Sequence, residues 1–117
     1  MARILLVEDE MLVRELALED LTDAGFDVSP ASDGDEALSI LEDGHAFDLL
    51  FTDISMPSSI DGRELAVRAK RLIPGIKVVY ASGLADVGIA GRNERYLPKP
   101  YRRETLLALL DELGINV

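Results

Sequence analysis

"ARILLVEDE", residues 2–10, decides the fold: four apolar residues, Ile4 to Val7, run straight into Glu8, Asp9 and Glu10. An apolar run without alternation is the pattern of a strand covered on both faces. The acids behind it are the difficulty. Two carboxylates ~4 Å apart repel by about 4 kcal/mol at the effective dielectric typical near a protein surface. Either they point apart into water, or something positive sits among them.

Working outward, short apolar runs alternate with amphipathic stretches. Residues from about Met11 to Ala24 read as a helix with Val13, Leu16, Ala17, Leu21 and Ala24 on one face, stopped by Gly25. Phe26-Asp27-Val28 alternates and Pro30 follows, which suggests an edge strand. Asp33 and Glu36 stand at capping-box spacing, so a second helix starts there and ends near Gly44. "DLLFTD", Asp48 to Asp53, is a buried strand ending in an acid. "DGRELAVRAKRL" is a third helix with Leu65, Ala69 and Leu72 on one side and Asp61 as its cap. "KVVYAS", Lys77 to Ser82, is an apolar strand ending in a hydroxyl. "YLPKP" holds a very short strand, and "RRETLLALLDEL" is a final helix with Leu106, Leu109, Leu110 and Leu113 facing in. Glu10 reads as a helix-terminal acid favoured by the helix dipole, and His45 as a solvent-exposed loop residue.

Repeated strand–helix alternation implies an α/β fold, a parallel sheet with helices on both faces. One segment breaks the rhythm. Gly83 to Arg95 carries Gly83, Gly88 and Gly91, each disfavouring a helix interior by about 1 kcal/mol relative to alanine, so a loop or an irregular fourth helix is expected there. Low local stability also makes this segment the expected switch surface.

The 117 residues fit one domain spanning 1–117, and 48% hydrophobic content supplies a core. The net charge of −10 argues against nucleic acid or an anionic membrane as direct partner and is compatible with a cation site or a basic protein. There is no cysteine, no apolar run of membrane-spanning length and no signal-peptide pattern at the N-terminus, so a cytoplasmic location is expected.

In an open parallel sheet, ligands bind beyond the carboxyl ends of the strands. Here those ends deliver Glu8 and Asp9, then Asp53, then Ser82, then Lys99. Hard oxygen ligands in that number suit Mg²⁺. A divalent cation would hold the acids together, which answers the difficulty of the opening stretch. With a lysine and a hydroxyl nearby, the set is a phosphoryl-transfer constellation. Asp53 would attack phosphorus, Lys99 and the metal would neutralise the equatorial oxygens, and Ser82 would donate a hydrogen bond to the transferred group.

With these residues in register, the chain resembles the receiver domain of two-component response regulators. The matching features are Glu8-Asp9, Asp53 in "LLFTDISMP", Ser82 in "YASG" and Lys99-Pro100 in "YLPKPY", and they cover essentially the whole chain. The resemblance implies a flavodoxin-like, doubly wound five-stranded sheet of order 2-1-3-4-5. It implies that Asp53 is the phosphoacceptor, and that Asp9, Asp53 and the backbone carbonyl of Ser55 coordinate Mg²⁺ with Glu8 assisting. Tyr96 matches the aromatic residue that changes rotamer on activation. The implied partners are a histidine kinase or histidine phosphotransfer protein and a downstream protein target, making a signalling switch rather than a turnover enzyme. "VVYASGL" and "YLPKPY" resemble a subgroup with a Phe-Ala-Thr-Gly-type motif, found in single-domain regulators and hybrid-kinase receivers. Two departures stand out: "MPSSIDG" is one residue longer than in the best-known members, and Leu84 stands where many carry a polar residue.

Two other classes compete. A haloacid-dehalogenase-like phosphatase also uses an aspartate nucleophile, Mg²⁺ and a lysine, but Met11 stands where its second aspartate would be. A mononucleotide-binding module would need a glycine-rich first turn, which is missing, and the acids would repel phosphates.

Overall fold

The computed structural model describes residues 1–83 and 91–117. Five strands form one parallel sheet: β1 Arg3–Val7, β2 Asp27–Ala31, β3 Leu49–Asp53, β4 Lys77–Ser82 and β5 Glu94–Pro98, in the order β2-β1-β3-β4-β5. The helices are α1 Met11–Asp23, α2 Gly34–Glu42, α3 Gly62–Leu72 and α4 Arg103–Glu112. This is the doubly wound architecture implied by the alternation of elements. Pro30 lies on β2 at one edge, where a missing N–H interrupts no ladder.

Strand alternation divides the core into two. Ile4 and Leu6 of β1 face α1 and α4, packing with Ala17, Leu21, Phe51, Leu106 and Leu110. Leu5 and Val7 face α2 and α3, packing with Ala37, Leu41, Leu65, Ala66 and Ala69. Burying both faces explains why β1 is apolar without alternation. Each such leucine contributes on the order of 2 kcal/mol of burial.

The helix ends follow local rules. Gly25 has φ 102°, and the Asp33 and Asp61 carboxylates accept from the Glu36 and Glu64 N–H groups at 2.8 and 2.9 Å. The capping box is displaced by one residue: the Glu36 carboxylate reaches back to the Ser32 N–H at 2.6 Å rather than to Asp33. Glu10 occupies the α1 cap position, but its side chain makes no capping hydrogen bond. His45 is exposed, in edge contact with Phe47.

Two inward assignments are corrected. Leu16 is 65% exposed, because the buried stripe of α1 is centred on Ala17 and Leu21, with Val13 and Ala24 only half-buried at its margins. Leu72 is 48% exposed at the last residue of α3, where Ile76 fills the end of the core instead. Strand β5 begins at Glu94, longer than the short segment expected. The expected irregularity between Gly83 and Arg95, and Leu84 with it, falls largely on residues 84–90, outside the described residues.

Candidate functional site

The site is built where β1, β3, β4 and β5 end together. Val7 ends β1 opposite Thr52 of β3, and the next residue of each, Glu8 and Asp53, emerges on the same rim. Glu8 N–H continues the β1–β2 ladder to the Ala31 carbonyl at 3.1 Å, which locks its backbone. Asp53 pairs with Ala81, so Ser82 is the next residue of β4 along the rim. The Lys99 N–H donates to the Ser82 carbonyl at 2.8 Å, which fixes the start of the lysine side chain.

Glu8 is buried, Asp9 exposed, and Asp53 lies between these extremes. One carboxylate oxygen from each lies within 4.8 Å of the others. The Lys99 ammonium sits among them, 2.6 Å from Glu8 Oε1 and 3.2 Å from Asp53 Oδ2. The second Glu8 oxygen accepts from the Glu10 N–H at 3.0 Å. The charge problem of the opening stretch is thus met in part by a lysine from the far end of the chain. Burial nonetheless raises the Glu8 and Asp53 pKa values above their ordinary range, despite the opposing pull of Lys99; Asp9 adds repulsion at Asp53. Burial also disfavours the Lys99 ammonium, but the Glu8 hydrogen bond and the charges of Glu8 and Asp53 outweigh it and leave its pKa raised.

This donor set fits Mg²⁺. The three carboxylates are hard oxygen donors at an open rim, two of them are disfavoured as bare anions, and Asp9 faces water where a partly hydrated cation would lie. Ser55 lies two residues beyond Asp53 and is exposed. Ser82 is buried at 8% exposure. Tyr96 stands apart from the acids. Its ring stacks on Tyr80 with centroids 5.2 Å apart, and its hydroxyl accepts from Arg63 at 2.8 Å.

Several supporting residues escaped the sequence reading. Arg14 of α1 donates to the Glu8 carbonyl at 2.9 Å and holds the acidic turn. Tyr101 packs edge-on against Phe51, and burial with the negative charge of Glu8 pushes its hydroxyl pKa up to about 12. Gly62 opens α3 so close to the site that a Cβ there would lie 2.1 Å from the Asp53 carbonyl oxygen. Its N–H donates to the Ile54 carbonyl at 2.8 Å. The "DG" pair before an amphipathic run was a visible signal for the last of these, and Tyr101 closes the quoted "YLPKPY" stretch; nothing in the sequence marked Arg14.

With this geometry in hand, the sequence matches the response regulator receiver domain over residues 4–111. The chain belongs to the receiver domain family of response regulators. It is 35% identical to the response regulator receiver protein CpdR of Brucella abortus, with 98% of both chains covered. It is 34% identical to the sensor kinase CckA of the same organism over 96% of its own length, which is 12% of that kinase. Among solved structures, the receiver domain of the hybrid histidine kinase CckA superposes with a TM-score of 0.81 at 37% identity, covering 95% of this chain and 98% of that one. A response regulator receiver protein from Sinorhizobium medicae superposes with a TM-score of 0.88 at 32% identity, covering 96% and 93%. The receiver family is one of signalling phosphoacceptors rather than of turnover enzymes. Among the described residues, no helix is long and apolar enough to cross a membrane.

Proposed function

We propose that this receiver domain accepts a phosphoryl group on Asp53 from a partner's phosphohistidine and signals the change through protein contacts rather than through nucleic acid. The observation that carries the reading is the meeting of Asp53, Asp9, Glu8 and Lys99 on one rim, in a chain of the receiver family. An Asp53 carboxylate oxygen attacks phosphorus and forms the P–O bond. The P–N bond to the donor imidazole breaks, and its electron pair stays on that nitrogen. Lys99, already ion-paired at the rim, follows the charge onto the phosphoryl oxygens. Ser82 donates a hydrogen bond to the transferred group. Mg²⁺, held by Asp9, Asp53 and the Ser55 carbonyl with Glu8 assisting, supplies charge neutralisation when bound.

A protein donor suits the surface next to the site. An apolar groove lined by Val13, Leu16, Ala17, Pro100 and Tyr101 runs beside Lys99, and Met11, Leu12 and Leu16 are exposed along the same helix. A histidine kinase or histidine phosphotransfer protein presenting its phosphohistidine over Asp53 would cover this groove. The likeness to CpdR and to the CckA receiver supports placing the chain with single-domain regulators and hybrid-kinase receivers.

The test is direct. Acetyl phosphate with Mg²⁺ adds one phosphate to the wild-type protein by intact-mass spectrometry and none to Asp53→Ala. Equal labelling of the variant defeats the assignment.

A further inference from the structure

The loop from Ile54 to Asp61 follows the proposed phosphoacceptor and carries Ser55. Its ends are fixed from within the same half of the sheet: Ile54 N–H donates to the Ala81 carbonyl at 3.3 Å, and Gly62 N–H to the Ile54 carbonyl at 2.8 Å. Its middle is held by a different element. Ser58 Oγ accepts from the Gly34 N–H of α2 at 3.2 Å and donates to the Ile60 carbonyl at 2.6 Å. Ser59 N–H donates to Asp35 Oδ2 at 3.2 Å, and the Ser59 hydroxyl donates to Asp35 Oδ1. These two bonds hold the Asp35 carboxyl below its ordinary range. The approach is tight as well as bonded. A Cβ at Gly34 would lie 2.6 Å from the Ile60 carbonyl oxygen and 2.8 Å from its side chain.

We propose that the first turn of α2 is a clasp for this loop, and that Asp35 is a positioning residue that holds the Ser55 segment ready for the cation. This rests on the proposed role of Ser55 and Asp53 in cation binding. Asp35 does not touch the acid cluster. It acts through Ser59, by removing freedom that the loop would otherwise have to lose when the cation binds. Two routes lead to the same loosening: removing the acceptor at Asp35, or pushing the loop away with a Cβ at Gly34.

The experiment is a Mg²⁺ titration of the full chain by calorimetry, with urea unfolding as the measure of folding. Asp35→Ala, Ser59→Ala and Gly34→Ala are each expected to weaken Mg²⁺ binding about three- to ten-fold, the lower part of the effect seen for outer-shell partners of metal ligands and less. Asp35→Asn keeps both contacts, since its amide oxygen accepts the Ser59 N–H and its amide nitrogen donates to the Ser59 hydroxyl. It should retain near wild-type affinity although it lacks the charge. If Asp35→Asn weakens binding as much as Asp35→Ala, the effect is electrostatic and the clasp is overturned. Should Gly34→Ala not fold, the two bond-removing variants carry the test alone. Unchanged affinity in those variants, with binding lost in Asp9→Asn, overturns the clasp and leaves the cation site standing. Binding that survives Asp9→Asn and Asp53→Asn defeats the site itself and the clasp with it.

Discussion

The Lys99 ammonium lies 2.6 Å from the Glu8 carboxylate, although ninety-one residues separate them in sequence. With side chains 21% and 6% exposed, this is a largely sheltered pair, and Asp53 shares the same cation. Breaking a sheltered pair from one side strands the other charge.

Lys99→Ala is therefore expected to destabilise the Mg²⁺-free protein by about 2 kcal/mol at neutral pH. Glu8, already raised by burial, loses its main opposing influence in this variant. Stability tied to a raised carboxyl is fully present below its unfolded pKa and is lost as pH rises through the folded value. The deficit of Lys99→Ala should therefore shrink as the pH is lowered toward the ordinary carboxylate range. Thermal melts across that range check it; a deficit that does not vary with pH defeats the explanation.

Asp53 carries the same sign. Its pKa is raised by burial first, and by Asp9, against the pull of Lys99, so the ionised form is disfavoured in the folded protein. Asp53→Asn mimics the protonated form. Its melting temperature relative to wild type should rise as pH increases above the ordinary aspartate value of 3.8. Saturating Mg²⁺ should narrow the gap by stabilising wild type alone. A gap that is largest in acid contradicts the raised pKa.

Gly62→Ala tests the packing beneath the site. The added Cβ would sit 2.1 Å from a backbone oxygen of Asp53, not from a flexible side-chain tip, so α3 or the end of β3 must move. A loss of about 2–4 kcal/mol in urea unfolding is expected. A change near zero would mean that α3 re-seats freely.

Leu16→Ser probes the groove beside Lys99. Leu16 is 65% exposed, so stability should change by less than ~0.5 kcal/mol. Phosphotransfer from a histidine phosphodonor protein should slow, while labelling by acetyl phosphate should not. Equal slowing with both donors would place the effect in the site rather than at a docking surface.

The sheet and its rim were legible because their signals are local. The doubly apolar strand, the acid that ends β3 and the serine that ends β4 each mark a position along one segment, and parallel alternation brings those ends together. The helix faces were less legible. Leu16 and Leu72 fit a helical stripe by spacing, but how wide a stripe turns inward is set by the sheet beneath: Ala17 and Leu21 of the expected α1 face are buried while Leu16 is not, and Ile76, beyond α3, is buried where Leu72 is exposed. The contacts made by Arg14, Arg63 and Asp35 were silent in sequence, since a charged residue on a helix surface looks the same whether it meets water or a carbonyl.

Tyr96 is the expected switch residue, and the structure shows what a change of rotamer must break. Arg63, next to the residue that packs on the Asp53 carbonyl, donates to the Tyr96 hydroxyl at 2.8 Å. Its guanidinium lies 5.5 Å from the Tyr96 ring centroid and 5.8 Å from that of Tyr80. Tyr80 is held in turn by Glu94, to which it donates at 2.8 Å, and Lys70 pairs with the same carboxylate. Tyr96 thus rests on a tyrosine that is itself anchored, under a cation from α3. If phosphorylation draws Tyr96 away, the Arg63 contact favours the unphosphorylated conformer, by about 1 kcal/mol for one hydrogen bond and a part-exposed cation–π contact. Removing it shifts the equilibrium toward the other conformer, and a ligand selective for that conformer binds more tightly by the same free energy. Arg63→Ala should bind beryllofluoride about five-fold more tightly than wild type, and Tyr96→Phe, which loses the hydrogen bond but keeps its ring beside the guanidinium, more tightly by a smaller factor, read from tyrosine fluorescence or NMR shifts in the presence of Mg²⁺. Wild-type affinity in both variants would make Tyr96 a packing residue. Weaker binding in Arg63→Ala would reverse the sign and assign Arg63 to the phosphorylated conformer instead.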